Sequence, residues 1–373
     1  KEYRNNLYIL NNINNTNTNI NTNTNNNNDI YNNNNDNDNY IYNNDNDNDN
    51  DNQILLKLAP YLAGLIEGNG TIVTKSKEKS KKKYSPMIYI VFNKKDFELA
   101  NYLANLLKIG KVYEKKGNFV IWQINKIEEV YFLIMLIKDY FRTPKIEALN
   151  RAIDWINNYI IINSKNLEDS LNPLINLNNK KIKRILNNIN LIKKSEIDNS
   201  DLMSNNWLSG FTDADGNFSI SLYKINDLKA ARVNLSYRLE TRVNYINKYN
   251  DINNKLSYFN IMEKISVFFN TGLYYRSREI KFVNKNDPKI YTSYIISVNS
   301  IINLTKVNEY FNKYQLLSSK YLDFKDWSLL FLEIKNKKGI SKNPQLVTLG
   351  INIRKNFNKT RTNINWNHLK KNI

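Results

Sequence analysis

The sequence predicts an α+β protein made of two related units, each an α-β-β-α-β-β-α succession with helices on one face of an antiparallel sheet. Three observations carry that reading. A segment at residues 62–70, L-A-G-L-I-E-G-N-G, returns at residues 208–216 as L-S-G-F-T-D-A-D-G. Each copy runs from a small-residue helix through an acid-containing turn into an alternating apolar stretch of strand character. Downstream, an amphipathic helix in each half stops at a glycine, Gly110 in one and Gly272 in the other.

The repeated helices come first. Gly64 and Gly68 lie four residues apart, as do Gly210 and Ala214, so each helix carries a small-residue track on one face. Such a track lets two backbones approach closely, while Leu62, Leu65 and Ile66, with Leu208 and Phe211, anchor each helix in its own core. The expectation is a central two-helix interface with Gly64 near Gly210 and the two acidic turns side by side. One such segment alone fits an ordinary buried helix; its return with the same turn and strand makes the pair the organising centre.

The other elements follow in order. Residues 1–52 are dominated by Asn, Asp and Thr, with two basic and eight acidic side chains and no sustained apolar period, and are expected to be a disordered tail. The first half, 53–162, continues with strands at 71–74 and 87–92 around a lysine-rich loop at 75–83. Asp96 is placed to cap a helix ending at Gly110, a hairpin at 112–124 turns at Gly117 and Asn118, and helices cover 126–140 and 145–162. Residues 163–202 read as a basic, partly helical linker. The second half, 203–340, repeats the pattern, with Trp327 matching Trp155, and 341–373 is a basic C-terminal extension.

Composition narrows the chemistry. The 373 residues carry a formal net charge of +19, which points to a polyanionic partner. There is no cysteine, so disulfides and thiolate zinc sites are excluded, and the only histidine, His368, lies near the C-terminus, which argues against histidine-based catalysis. Hydrolytic chemistry would rest on carboxylates, lysines and an oxygen-liganded metal such as magnesium. No uninterrupted apolar run is long enough to cross a bilayer. Lys111, Tyr113 and Lys115 share one strand face, as do Tyr274, Arg276 and Arg278, and mixed basic and aromatic faces suit nucleic acid. The heavy use of Asn, Ile, Lys and Tyr fits a very A+T-rich gene, and a chain beginning at Lys1 fits a product cut from a longer precursor.

The paired segments resemble the two motifs of single-chain LAGLIDADG homing endonucleases and of the maturases related to them, over roughly residues 53–340. The resemblance implies a pseudo-twofold monomer with saddle-shaped sheets. It implies that the acid before each final glycine binds catalytic magnesium, a role that falls to Asp215, whereas the first motif has Asn69 at that place. It implies Lys145 and Lys320, near the starts of the post-hairpin helices, as basic residues that assist each active site; Glu67 and Asp213 would instead orient the turns. Asn69 keeps an oxygen ligand but removes a charge, weakening metal affinity and water activation. The expectation is therefore an RNA maturase that binds a mitochondrial group I intron in the matrix, with a vestigial magnesium site and room for a protein splicing co-factor. The alternative is an active magnesium-dependent endonuclease acting on double-stranded DNA.

Overall fold

The computed structural model describes residues 45–74, 85–168, 176–223, 232–245, 256–280, 289–337 and 342–371, with side chains described from residue 53 onward except at 168, 176–179, 280, 289 and 371. Most of the expected tail, the lysine-rich loop 75–83 and the turn at 286–288 therefore lie outside the described residues. Residues 45–52 continue the first motif helix, α1 (Asp45–Asn69), upstream of where the sequence pattern starts.

α1 packs against α6 (Trp207–Asp215) along the small-residue track. A Cβ on Gly64 would lie 2.1 Å from the Trp207 carbonyl oxygen, and one on Gly210 would lie 1.9 Å from that of Tyr61. No side chain fits at those distances, so glycine is what permits the backbones to touch. Farther along, a Cβ on Gly68 would fall 2.2 Å from the Ala214 Cβ. The four small positions read from the sequence thus form one seam, and the repeat becomes a local twofold.

Each motif helix feeds a four-stranded antiparallel sheet. In the first half, β1 (Gly70–Val73), β2 (Met87–Asn93), β3 (Lys111–Glu114) and β4 (Phe119–Ile124) are ordered β1-β2-β4-β3. In the second, β5 (Gly216–Tyr223), β6 (Arg232–Arg242), β7 (Leu273–Ile280) and β8 (Lys289–Val298) are ordered β5-β6-β8-β7. The two-residue period puts Ile88, Ile90, Phe92, Val120, Trp122 and Ile124 into one core. The second core centres on Phe218, whose ring lies 5.2–5.5 Å from those of Tyr237, Phe311, Phe324 and Trp327. Trp327 is buried and Trp155 is half-buried, stacked on Tyr159; counted from the equivalent lysines Lys320 and Lys145 they lie seven and ten residues on, so the expected match of the two tryptophans does not hold.

Helices α2 (Phe97–Leu107), α3 (Ile127–Ile137) and α4 (Ile146–Glu168) cover the first sheet. α5 (Asn176–Leu186) lies in the linker, and α7 (Phe259–Phe268), α8 (Ile301–Lys313) and α9 (Lys320–Asn336) belong to the second half. Two local readings change. Asp96 makes no side-chain cap to α2; its Oδ1 accepts the Ser319 amide from the other half at 2.7 Å. The left-handed residues that end α2 and α7 are Lys108, at φ 55°, and Asn270, at φ 49°, each two positions before the expected glycine; Gly110 follows at φ 70°, whereas Gly272 has no positive φ. Asparagine tolerates that region, so the stop signal sits two residues earlier than the glycine pattern implies.

The linker and the C-terminal extension are straps. Residues 187–202 run along the first half, with Asn157 and Asn150 each both donating to and accepting from the strap backbone, at Ile192 and Ser195. The extension adds α10 (Pro344–Arg354) and α11 (Asn367–Lys371), and Arg361 bridges Asp323 and Asp326 on α9. His368 is buried, stacked on Tyr321 with its Nε2 2.9 Å from the Leu317 carbonyl oxygen. These side chains pin the start of α9, which reaches the site described next.

Candidate active site at the meeting of the motif helices

Asn69 and Asp215 are the last residues of α1 and α6, each followed by the glycine that opens a strand. Both are partly buried, and a Cβ on Gly68 would stand 3.4 Å from Asp215 Oδ2, so the carboxylate lies across the end of the opposite helix. The close seam thus delivers both key positions to one place.

A helix that ends inside a protein leaves carbonyls that need donors. Lys145, at the start of α4, donates through Nζ to Ile66 O at 3.0 Å and Gly70 O at 2.8 Å. Lys320 does the same in the second half, to Thr212 O at 2.9 Å and Asp213 O at 2.7 Å. Each ammonium therefore caps a motif helix at its negative end, a favourable arrangement for a cation. The resemblance marks both as basic residues that assist the site; each is also a helix cap whose charge is felt by the acid at the junction.

The electrostatics follow from burial. Burial pulls the Lys145 ammonium down to about 8, against the opposing pull of Glu67 and Asp215, and Arg242 adds to the lowering. Lys320 is lowered by burial too, with Asp213 and Asp215 opposing. The Asp215 carboxyl is raised by burial, and Lys320, Lys145 and Arg242 act to lower it. Arg242, the exposed last residue of β6, is a third cation at the junction that the sequence reading missed. The alternation Arg238, Glu240, Arg242 in that strand was the available signal.

Glu67 and Asp213 are buried clamps. Glu67 accepts the backbone amides of Arg142 and Thr143, the Thr143 hydroxyl at 2.6 Å and, from the other motif helix, Trp207 Nε1–H at 2.7 Å. Asp213 accepts the amides of Leu317 and Ser318, the Ser318 hydroxyl and, again across the seam, the Tyr61 hydroxyl at 2.7 Å. Burial raises both carboxyls and these donors hold them down, with Lys320 also acting on Asp213. With every donor accounted for, each acid fixes the chain start of its own post-hairpin helix and the partner helix together. Tyr61 and Trp207 occupy the same place in the two motif copies, one residue before Leu62 and Leu208, so this pair was readable from the repeat.

The strand registers test the two basic faces. Tyr113 stands opposite Ile121, itself opposite Val91. Tyr274 stands opposite Ile295, itself opposite Glu240, so the two tyrosines are equivalent. Lys115 then matches Arg276, but Lys111 lies one pair nearer one end and Arg278 one pair nearer the other. The trios coincide at two of three places rather than all three. All six side chains are exposed or partly exposed, on sheet faces opposite the helices.

Magnesium asks for oxygen ligands, commonly one or two carboxylates with water and phosphate completing the set. The donors at the helix ends fit that demand through the Asp215 carboxylate and the Asn69 amide oxygen. Among the described residues no three His, Cys, Asp or Glu side chains gather, so Asp215 would be the one charged ligand.

A family model for LAGLIDADG endonucleases matches residues 62–156 and 208–331. Intron-encoded DNA endonuclease aI3 of Saccharomyces cerevisiae is 46% identical over 318 residues, spanning 84% of this chain and 72% of that protein. An uncharacterized cox1 intron-2 protein of Schizosaccharomyces pombe is 27% identical over 75% of this chain and 67% of its own. The fold is shared with I-SmaMI bound to cleaved DNA, at TM-score 0.54 and 18% identity over 82% of this chain and 98% of that one. It is shared also with I-AabMI bound to uncleaved DNA, at TM-score 0.52 and 21% identity over 80% and 99% of the two chains. Its doubled motif, paired sheets and close helix seam, with these matches, make the chain a double-motif member of the LAGLIDADG endonuclease family.

Proposed function

We propose that the protein is an intron-encoded endonuclease acting on duplex DNA, gripping it with the outward faces of both sheets and cutting at the junction of the motif helices. The observation that carries this reading is the 46% identity, over 84% of the chain, to a protein described as a DNA endonuclease. The geometry supports it in three ways. Two sheet faces with exposed basic and aromatic side chains sit on one local twofold, which suits a two-part target bound by a monomer. Asp215, Lys145, Lys320 and Arg242 gather where the halves meet. The folded part is strongly basic.

The junction is unequal. Asp215 would hold a magnesium ion as the charged ligand, and Asn69 would offer only a neutral oxygen. When bound, the ion supplies Lewis acidity and a more acidic water. Lys145 and Lys320 hold the two helix ends in place and, with Arg242, keep positive charge beside the phosphate path. The chain's own asymmetry therefore favours cutting on the Asp215 side, so nicked duplex should accumulate before linear product.

A second reading is favoured by Asn69 itself. Loss of one acid at the junction suits a protein that binds without cutting, namely a maturase on group I intron RNA, with or without a protein splicing co-factor. Under either reading the gene's Asn-, Ile- and Lys-rich coding and the relatives' intron origin support a mitochondrial home. The test is incubation of supercoiled DNA carrying the intron-insertion sequence with the full chain and magnesium. Nicked and then linear DNA supports the endonuclease. Unchanged DNA, together with faster splicing of the intron RNA, would replace it with the maturase.

A further inference from the structure

The two sheet faces share Tyr113 with Tyr274 and Lys115 with Arg276, but around the equivalent positions Val91 and Glu240 their chemistry differs. On the first sheet the outward row Val91, Ile121 and Tyr113 joins Phe119, and Val91, Tyr113 and Phe119 are 37–40% exposed. On the second, the place of Val91 is taken by Glu240, which organises three arginines. Its Oε1 accepts from Arg278 at 2.7 Å and from Ser293 Oγ at 2.7 Å, its Oε2 accepts from Arg238 at 2.6 Å, and Arg276 lies 3.9 Å away.

Glu240 stays ionised at any working pH. Burial would push it up, but the hydrogen bonds from Ser293, Arg238 and Arg278 bring it down to about 2. Three donors bind its two oxygens, two on Oε1 and one on Oε2, so it acts as a positioning residue for the arginines. Each guanidinium has five N–H donors; Arg238 and Arg278 give Glu240 one each and Arg276 stands beside it as an ion pair, leaving most of each planar fork free. The arginine side chains remain 39–48% exposed while Glu240 is 25% exposed, as expected if the forks point outward from a carboxylate floor. A carboxylate among arginines also lowers their pull on phosphates. What remains favourable is a bidentate match, and the duplex group that matches an arginine fork is the guanine O6/N7 edge in the major groove. An apolar face such as Val91 and Phe119 matches the thymine methyl instead.

We infer that the protein reads an asymmetric duplex: guanines in the half-site under the second sheet, set by the arginines that Glu240 orients, and thymines in the half-site under the first. This rests on the proposed action on duplex DNA. Neighbouring strands lie ~5 Å apart and same-face residues ~7 Å apart along a strand, so the arginine cluster spans about two to three base pairs.

The experiment is selection from a randomised duplex DNA library by the full chain, beside Glu240→Gln, Arg278→Gln and Val91→Ser, with each variant's thermal unfolding as the check on folding. Wild type is expected to enrich a site with two or three guanine positions in one half and thymines in the other. Glu240→Gln should relax the guanine preference about ten-fold at those positions while leaving the thymines unchanged, and Val91→Ser should do the reverse. Arg278→Gln should change base preference at one position without reducing the salt dependence of binding. If Arg278→Gln instead weakens all sequences alike and lowers the salt slope by about one, the arginine is a phosphate contact and the inference is overturned. Duplex binding without any guanine half-site overturns it too, leaving the proposed function standing. Selection of no duplex at all overturns both.

Discussion

At the residue scale the informative side chains are those buried with charge. Glu67, Asp213, Lys145 and Lys320 are all charged groups at motif turns, yet each spends its hydrogen bonds on backbone and hydroxyls that set the turn. Sequence spacing could find them, because they repeat in both halves, but it could not show that the lysines also cap the motif helices. That distinction depends on where the ammonium ends up, and a lysine's four-carbon stem reaches many places. Asn69 was plain in the sequence, whereas Arg242 was hidden because its proximity to Asp215 is set by sheet register. Lys145 yields a pH prediction. Its folded value of about 8 lies below the ordinary 10.5, so between those values the folded protein holds fewer protons than the unfolded chain. Stability contributed by this group therefore rises as pH rises through that window. Chemical denaturation at about pH 7.5 and about pH 9.5 should show wild type gaining on the order of 2 kcal/mol relative to Lys145→Met between the two. Parallel pH profiles for the two proteins would mean that the Lys145 ammonium is not desolvated.

At the element scale the motif helices were the most legible part of the molecule. Small residues four apart describe a face, and two copies describe a seam, so the packing of α1 on α6 followed from spacing alone. The strands were legible as well, since alternation gives the face directly. Less legible were the element ends: Asp96 looks like a helix cap but reaches Ser319 in the other half, a choice made by tertiary packing. Asn270 rather than Gly272 turns the chain after α7, because asparagine can hold the left-handed conformation. The seam gives a graded prediction. Gly64→Ala and Gly210→Ala push a methyl onto backbone carbonyl oxygens at 2.1 and 1.9 Å, which backbone cannot yield to without separating the helices. Gly68→Ala meets only the Ala214 Cβ, at 2.2 Å and close to the helix ends. Denaturant unfolding should rank the first two as costing about 3 kcal/mol or more and the third less, on the scale of overpacked cores. Equal, small losses for all three would mean that the seam is looser than described.

At the scale of the whole molecule, the two halves share one framework. The tyrosine of one motif binds the acid of the other, the tryptophan of the second binds the acid of the first, and Asp96 adds a third link across the seam. The straps that sequence patterning treated as linker and tail reinforce each half from outside, through Asn150 and Asn157 in one and Arg361 in the other. Their roles were not legible because they depend on side-chain contacts at long range rather than on any local period. Such crossed links predict one cooperative unfolding unit, although each half has a complete sheet and core. Native-state hydrogen exchange should then give the amides of Trp122 in β4 and Ile296 in β8 the same opening free energy, equal to the global value. Tyr61→Phe removes a buried hydrogen bond to a carboxylate and should lower both by the same amount, about 1–3 kcal/mol. If β4 amides keep their protection while those of β8 fall, the halves open independently, and the shared framework would be a contact without coupling.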